Sequence, residues 1–224
     1  MLPPRSGSDD AKPVASATDV RLRPVPETIE HPGIRRVLDA AARKGVTLDV
    51  TIFDQSTHTA ADAAAALGAE LGQIVKSLVF VAPGTDGALE PIVCLVSGAN
   101  RVDLGRLAAV TGERDVRRAT AREADELTGF TIGGIPPFGH VRATRVIMDP
   151  DLGRFQVVWA AAGLPTAVFP VPPGTLRTLA NAMVAPITES PQPADDGSEP
   201  KARGGSVSGG HLDDGQPTPQ NAGV

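Results

Sequence analysis

In "GQIVKSLVFVA", residues 72–82, side chains fall alternately on two faces. Val75, Val79 and Val81 share one face with Ser77, while Ile74, Leu78 and Phe80 share the other with Lys76. Period-two alternation predicts a strand, and apolar residues on both faces predict an inner one. A turn at "PGTDGALE" should lead to a partner strand, "PIVCLV". Upstream, "HPGIRRVLDAAARKG" keeps Ile34, Val37, Leu38, Ala41 and Ala42 at helical spacing, with Pro32 in the first turn and Gly45 as the stop. "VTLDVTIF" alternates and reads as a strand, and Thr59 should cap an alanine-rich helix that ends at Gly68. Asp103 caps a helix through Leu104, Leu107 and Ala108, and Thr120 with Glu123 forms a capping box for a helix closed by Gly129. After the loop "TIGGIPPFGH" come strands at "TRVIM", "FQVVWA" and "TAVFPV", the first two joined by a turn at "DPDLG". A last helix is expected from about Thr175 to Val184. Strands and helices intermix without regular βαβ alternation. The expected class is α+β, a single domain with a mixed, curved sheet rather than a doubly wound fold.

Composition sets the limits of that domain. The 24 glycines and 21 prolines of the 224-residue chain are densest towards its ends, where no apolar periodicity survives. Residues 1–30 and 188–224 are expected to be disordered tails, because such segments bury too little apolar surface to offset ordering entropy. The folded domain is expected at 31–187. No stretch reaches the roughly 18 apolar residues of a membrane span, so a cytoplasmic protein without a membrane partner is expected. The single cysteine, Cys94, sits in an apolar run and reads as a buried hydrophobe. The net charge of −5 belongs to the tails, since acids and bases balance across 31–187. Such a domain does not hold nucleic acid by bulk field, although a local site could take one short end. Arg114, Arg117, Arg118 and Arg122 form the basic cluster, read first as a solvated surface.

Candidate chemistry is sparse. His31, His58, His140 and His211 lack metal-ligand spacing, and neither a P-loop, a G-x-S-x-G elbow nor a dinucleotide fingerprint is present. No metal and no cofactor are expected. Two features stand out. Lys76 either guards an exposed sheet edge or points inward, where it requires a counter-charge, a cavity or an anionic ligand. The loop with Gly129, Gly133, Gly134 and Gly139 around Pro136 and Pro137 is either a connector or a stiffened cradle whose N–H groups meet a ligand oxygen.

Taken in order, "THTAADAAAALG", "QIVKSLVF", "SGANRVDLGRLA", "TGFTIGGIPPFGH" and "VVWAAAGLPTAVFPV" resemble the YbaK/EbsC family, over about residues 34–186. That family is related to the editing domain of bacterial prolyl-tRNA synthetases. The resemblance implies a barrel-like mixed sheet flanked by helices. It also implies a trans-editing deacylase that hydrolyses the ester of mischarged tRNA, with a small amino acid on tRNA(Pro). Its partners would be the 3′ end of aminoacyl-tRNA and prolyl-tRNA synthetase. By the same resemblance Lys76, Gly133 and Gly134 would be catalytic, the loop amides receiving the aminoacyl carbonyl. Phe53, Ser77, Asn100, Ile135, Pro137 and Gly163 would contact substrate.

The chain also departs from the pattern. Ser77 stands where Thr is common, and Pro136 where the loop often carries Ser. Ala161, Ala162 and Gly163 replace a Ser-Gly-Gly stretch of cysteine-preferring members, and Phe53 replaces a Tyr. The implied pocket is therefore more apolar than theirs. Two rivals remain: a non-catalytic module that binds the tRNA acceptor end or a synthetase, and a Schiff-base enzyme built on Lys76.

Overall fold

Local capping chemistry sets the helices. A computed structural model describes residues 30–53, 59–84 and 87–189; the expected tails, apart from Glu30, Thr188 and Glu189, lie outside the described residues. Helix α1, Pro32–Ala42, starts where the His31 ring accepts the Gly33 N–H, and it buries Ile34, Val37 and Ala41. Helix α2, Ala60–Leu67, carries a reciprocal box between Thr59 and Asp62. Asp103 caps α3, Leu104–Thr111, by accepting the Arg106 N–H at 3.0 Å. Thr120 and Glu123 cap α4, Ala121–Thr128, and α5 runs Pro173–Ala180.

The strands form two sheets. Strand β2, Val75–Pro83, pairs antiparallel with β3, Leu89–Ser97, over its whole length. On the far side of β3 lies β5, Arg145–Met148, followed by β8, Met183–Val184, both parallel to their neighbours. On the other edge, β4, Arg117–Arg118, meets only Phe80 and Val81 of β2. The second sheet is antiparallel, in the order β1 (Thr51–Ile52), β7 (Ala167–Val171), β6 (Val158–Leu164). The architecture is a mixed α+β domain. The barrel-like sheet implied by resemblance is represented by these two open sheets, joined by the bridge Ile74–Trp159.

Pleat alternation places the core. Val75, Val79, Val81, Val93 and Leu95 share one cluster with Ala160, Phe169 and Val171 of the second sheet and Ile34 and Val37 of α1. Phe80, Ile92, Cys94, Val96 and Ile147 turn to the opposite face and meet Leu107 of α3. Both faces of β2 and β3 are thus covered, as continuous apolar runs require.

Four expectations change. "DPDLG" is a 3₁₀ turn, Pro150–Arg154, that carries the chain from one sheet to the other, so β5 and β6 are not a hairpin. The last helix stops at Ala180 because Asn181 is left-handed, at φ 49°, and Met183–Val184 then pairs with Ile147–Met148. Within "VTLDVTIF" only Thr51–Ile52 finds a partner strand. Thr188, assigned to the tail, is buried, and its hydroxyl donates to Asp149 at 2.9 Å, so packed chain reaches past residue 187.

Candidate active site

The two halves of β2 have different neighbours on the β4 side. Because β4 covers only Phe80 and Val81, the stretch from Val75 to Leu78 has no strand beside it there. The gap is a cavity of about 240 Å³. Its walls are Ile74 and Val75–Val79 of β2, Thr59, Ala60 and Ala63 at the start of α2, and Arg118, Ala119 and Ala124. Ile132, Gly133 and Ile135 of the glycine loop and Trp159, Ala161, Pro165 and Val168 of the second sheet and its β6–β7 turn complete the lining. The lining is mainly apolar with a few polar groups, the usual composition of a small-ligand site.

Lys76 is half-buried at this open end. Its ammonium donates to the carbonyl of Gly98 at 3.1 Å and to that of Asn100. Asn100 is itself held, its side-chain amide donating to Asp151 Oδ2 at 2.8 Å. The loop after β3 therefore orients the lysine, and the 3₁₀ turn orients the loop. Burial lowers the Lys76 pKa from its ordinary value, and the positive charges of Arg101 and Arg118 lower it further. Beside it, the Ser77 hydroxyl is buried without a hydrogen-bond partner among the described residues. Such a group is costly unless something completes it.

The glycine loop follows α4 and is braced from several sides. Gly133 has φ +92°, a conformation that L side chains rarely adopt. A Cβ on Gly134 would lie 2.7 Å from the Leu164 backbone, so only glycine permits this approach to the β6–β7 turn. The Gly134 N–H already donates to the Thr131 carbonyl at 3.1 Å. By contrast, nothing among the described residues accepts from the N–H of Gly133 or Ile135. The Pro136 carbonyl accepts from His140 Nε2 at 2.8 Å, which places that tautomer's proton on Nε2. Burial pushes the His140 pKa down, the Pro136 bond opposing and the Arg36 charge adding to that shift. Phe138 packs against Phe169, with ring centroids 5.9 Å apart, and anchors the loop in the core.

The structure thus brings Lys76, Ser77, Gly133 and Ile135 to one cavity. The other expected positions lie around it. Phe53 follows β1, its N–H donating to Thr166. Pro137, within the loop, is buried and does not line the cavity. Gly163 sits at the β6 irregularity, where a Cβ would come 2.7 Å from the Gly33 carbonyl oxygen, so it admits α1 rather than lining the cavity. Asn100 acts through its carbonyl and its bond to Asp151. Asp151, Arg118, Trp159 and the Thr59–Ala63 turn were missed. Only the pairing of strands distant in sequence brings them here. Among the described residues no cluster of three or more metal-ligand side chains occurs, and no helix is long and apolar enough to cross a membrane.

Comparisons with known proteins identify the family. The family described as the aminoacyl-tRNA editing domain matches residues 54–179. A crystal structure named as a candidate trans-editing enzyme for prolyl-tRNA synthetase is 46% identical, with TM-score 0.65, covering 71% of this chain and 98% of that one. A protein of Enterococcus faecalis, named as a candidate Cys-tRNA(Pro)/Cys-tRNA(Cys) deacylase, is 27% identical over 58% of this chain and 78% of its own. The multifunctional Ser/Thr-tRNA deacylase ProXp-y of Escherichia coli is 34% identical over 43% of this chain and 58% of its own.

Proposed function

We propose, from the premise that this chain belongs to the aminoacyl-tRNA editing domain family, that it hydrolyses the ester of mischarged tRNA in trans, removing a small amino acid from tRNA(Pro). The observation that carries this reading is the meeting of Lys76, Ser77 and Gly133 on one small cavity.

An aminoacyl ester is already activated, so a site that positions water and stabilises charge suffices without a strong base. Water adds to the carbonyl carbon, the carbon–oxygen bond to the ribose breaks, and the products are a free amino acid and a tRNA 3′-terminal hydroxyl. The N–H groups of Gly133 and Ile135 are free for the developing oxyanion; a well-placed donor of this kind contributes about 2.7–4 kcal/mol. Gly134 shapes the loop instead, its N–H being occupied. Lys76 holds two of its three N–H bonds on carbonyls and offers the third to the ester group. The aminoacyl side chain lies among Ala124, Ile135, Ala161 and Val168, with Ser77 as the hydroxyl that can pair with it.

A largely apolar pocket separates near-isosteres only weakly. More than one small aminoacyl group should therefore be accepted, with prolyl-tRNA synthetase as the partner that releases the mischarged tRNA. A panel of alanyl-, seryl- and cysteinyl-tRNA(Pro) tests this, the expected result being hydrolysis of at least two. No hydrolysis with retained tRNA binding would replace the enzyme by a binding module.

A further inference from the structure

The basic cluster near β4 is divided by its ion pairs. Arg117 donates to both carboxylate oxygens of Glu123, at 2.8 and 2.7 Å, and Arg122 donates to Glu126 at 2.7 Å. Glu123 is correspondingly held down at about pH 2, chiefly by Arg117 and then by the Thr120 N–H. Arg118 is different. Successive strand residues face opposite ways, so where Arg117 turns to α4, Arg118 turns to the cavity and lines it. It is exposed and makes no ion pair with an acid among the described residues.

We propose that Arg118 is a phosphate-binding residue at the mouth of the cavity, its guanidinium holding a phosphodiester of the single-stranded 3′ end of the tRNA. This rests on the function proposed above and extends it from the ester to the strand that presents it. A guanidinium matches phosphate with two parallel N–H bonds, whereas the Lys76 ammonium already serves two carbonyls. Charge points the same way. Arg118 and Arg101 both act on Lys76 as like charges, so the three together form a positive field that favours an anion. With acids and bases balanced over the folded part, grip on nucleic acid has to come from such a local contact.

The test compares the wild type with Arg118→Gln, Arg118→Lys and, as a control, Arg122→Gln. Binding of uncharged tRNA is followed by fluorescence anisotropy from about 50 to 200 mM salt, where one lost single-strand phosphate contact flattens the log–log slope by about 0.7. Arg118→Gln should weaken binding about fivefold and show that flattening, with Arg118→Lys between it and the wild type. In turnover, KM for misacylated tRNA should rise by a similar factor while kcat holds within about twofold. On a 3′-aminoacyl-adenosine without phosphate, Arg118→Gln should lose the rise in KM that it shows on tRNA, and Arg122→Gln should match the wild type on both substrates. Unchanged tRNA binding and slope in Arg118→Gln would overturn the proposal, as would an equal loss on the phosphate-free substrate. If the wild type hydrolysed no ester, the function would fail, and the salt slope would still decide Arg118.

Discussion

The two ends of β2 share a strand, a partner and an alternating pattern, yet they do different work. At the Phe80–Ala82 end, β3 and β4 lie on either side, and all three residues are buried to 3% exposure or less. At the Val75–Leu78 end β4 is absent, and Lys76 and Ser77 stand there, facing a cavity. Polar residues enter this strand only where a neighbouring strand is missing. The comparison teaches that Lys76 marks a gap in the sheet. Its ammonium is kept by carbonyls of the loop after β3, and a cavity lies where a further strand would run.

The comparison can be broken first at the sealed end. Phe80→Ala should lower stability by about 3–5 kcal/mol in urea unfolding, while the rate per folded molecule stays within about threefold of wild type. A lost rate in folded protein would mean that the two ends are not separable. At the open end the effect should be on rate. Lys76→Met keeps the apolar stem and deletes the charge, so single-turnover deacylation should fall about a hundredfold. Stability should fall by about 1 kcal/mol, because the Gly98 and Asn100 carbonyls lose their donor. If protonated Lys76 is required, the wild-type rate declines as pH rises through a pKa below the ordinary 10.5. Removing the Arg118 charge raises that pKa, so Arg118→Gln should move the alkaline limb to higher pH.

Smaller changes sharpen the same contrast. Asp151→Ala frees the Asn100 amide and should reduce kcat about tenfold, with KM little changed. Asp151→Asn, which keeps an acceptor, should restore most of it; equal losses in both variants would argue against positioning through Asn100. Ser77→Ala should raise stability by up to about 1 kcal/mol, since it removes a buried unpartnered hydroxyl. It should also slow seryl- more than alanyl-ester hydrolysis, and a uniform effect would place the hydroxyl away from the side chain.

Local chemistry was legible in the chain, and long-range pairing was not. The caps at Thr59, Asp103 and Thr120 and the alternation of β2 depend on residues a few positions apart, and each is where the pattern placed it. Arg117–Arg118 carries two charges and no strand signal; it is a strand because Phe80 and Val81 lie alongside. Met183–Val184 continued a helical pattern until Asn181 turned left-handed, a cap signal that Asn can give as glycine does. The same division holds at the site. Lys76 and Gly133 stood out as a conspicuous charge and a glycine–proline loop, and Ser77 and Ile135 entered through the family resemblance, but Asp151 and Arg118 come near them only through the assembled sheet.

The most direct test is to map where a non-hydrolysable substrate sits. Titrating the protein with 3′-seryl-amido-adenosine and following backbone amide NMR signals should shift Lys76, Ser77, Gly133 and Ile135, and leave Phe80, Val81 and Ala82 in place. Shifts confined instead to the cleft of Asp149, Gly153, Arg177 and Val184 would contradict the account, because ligand would then bind away from the open end of β2.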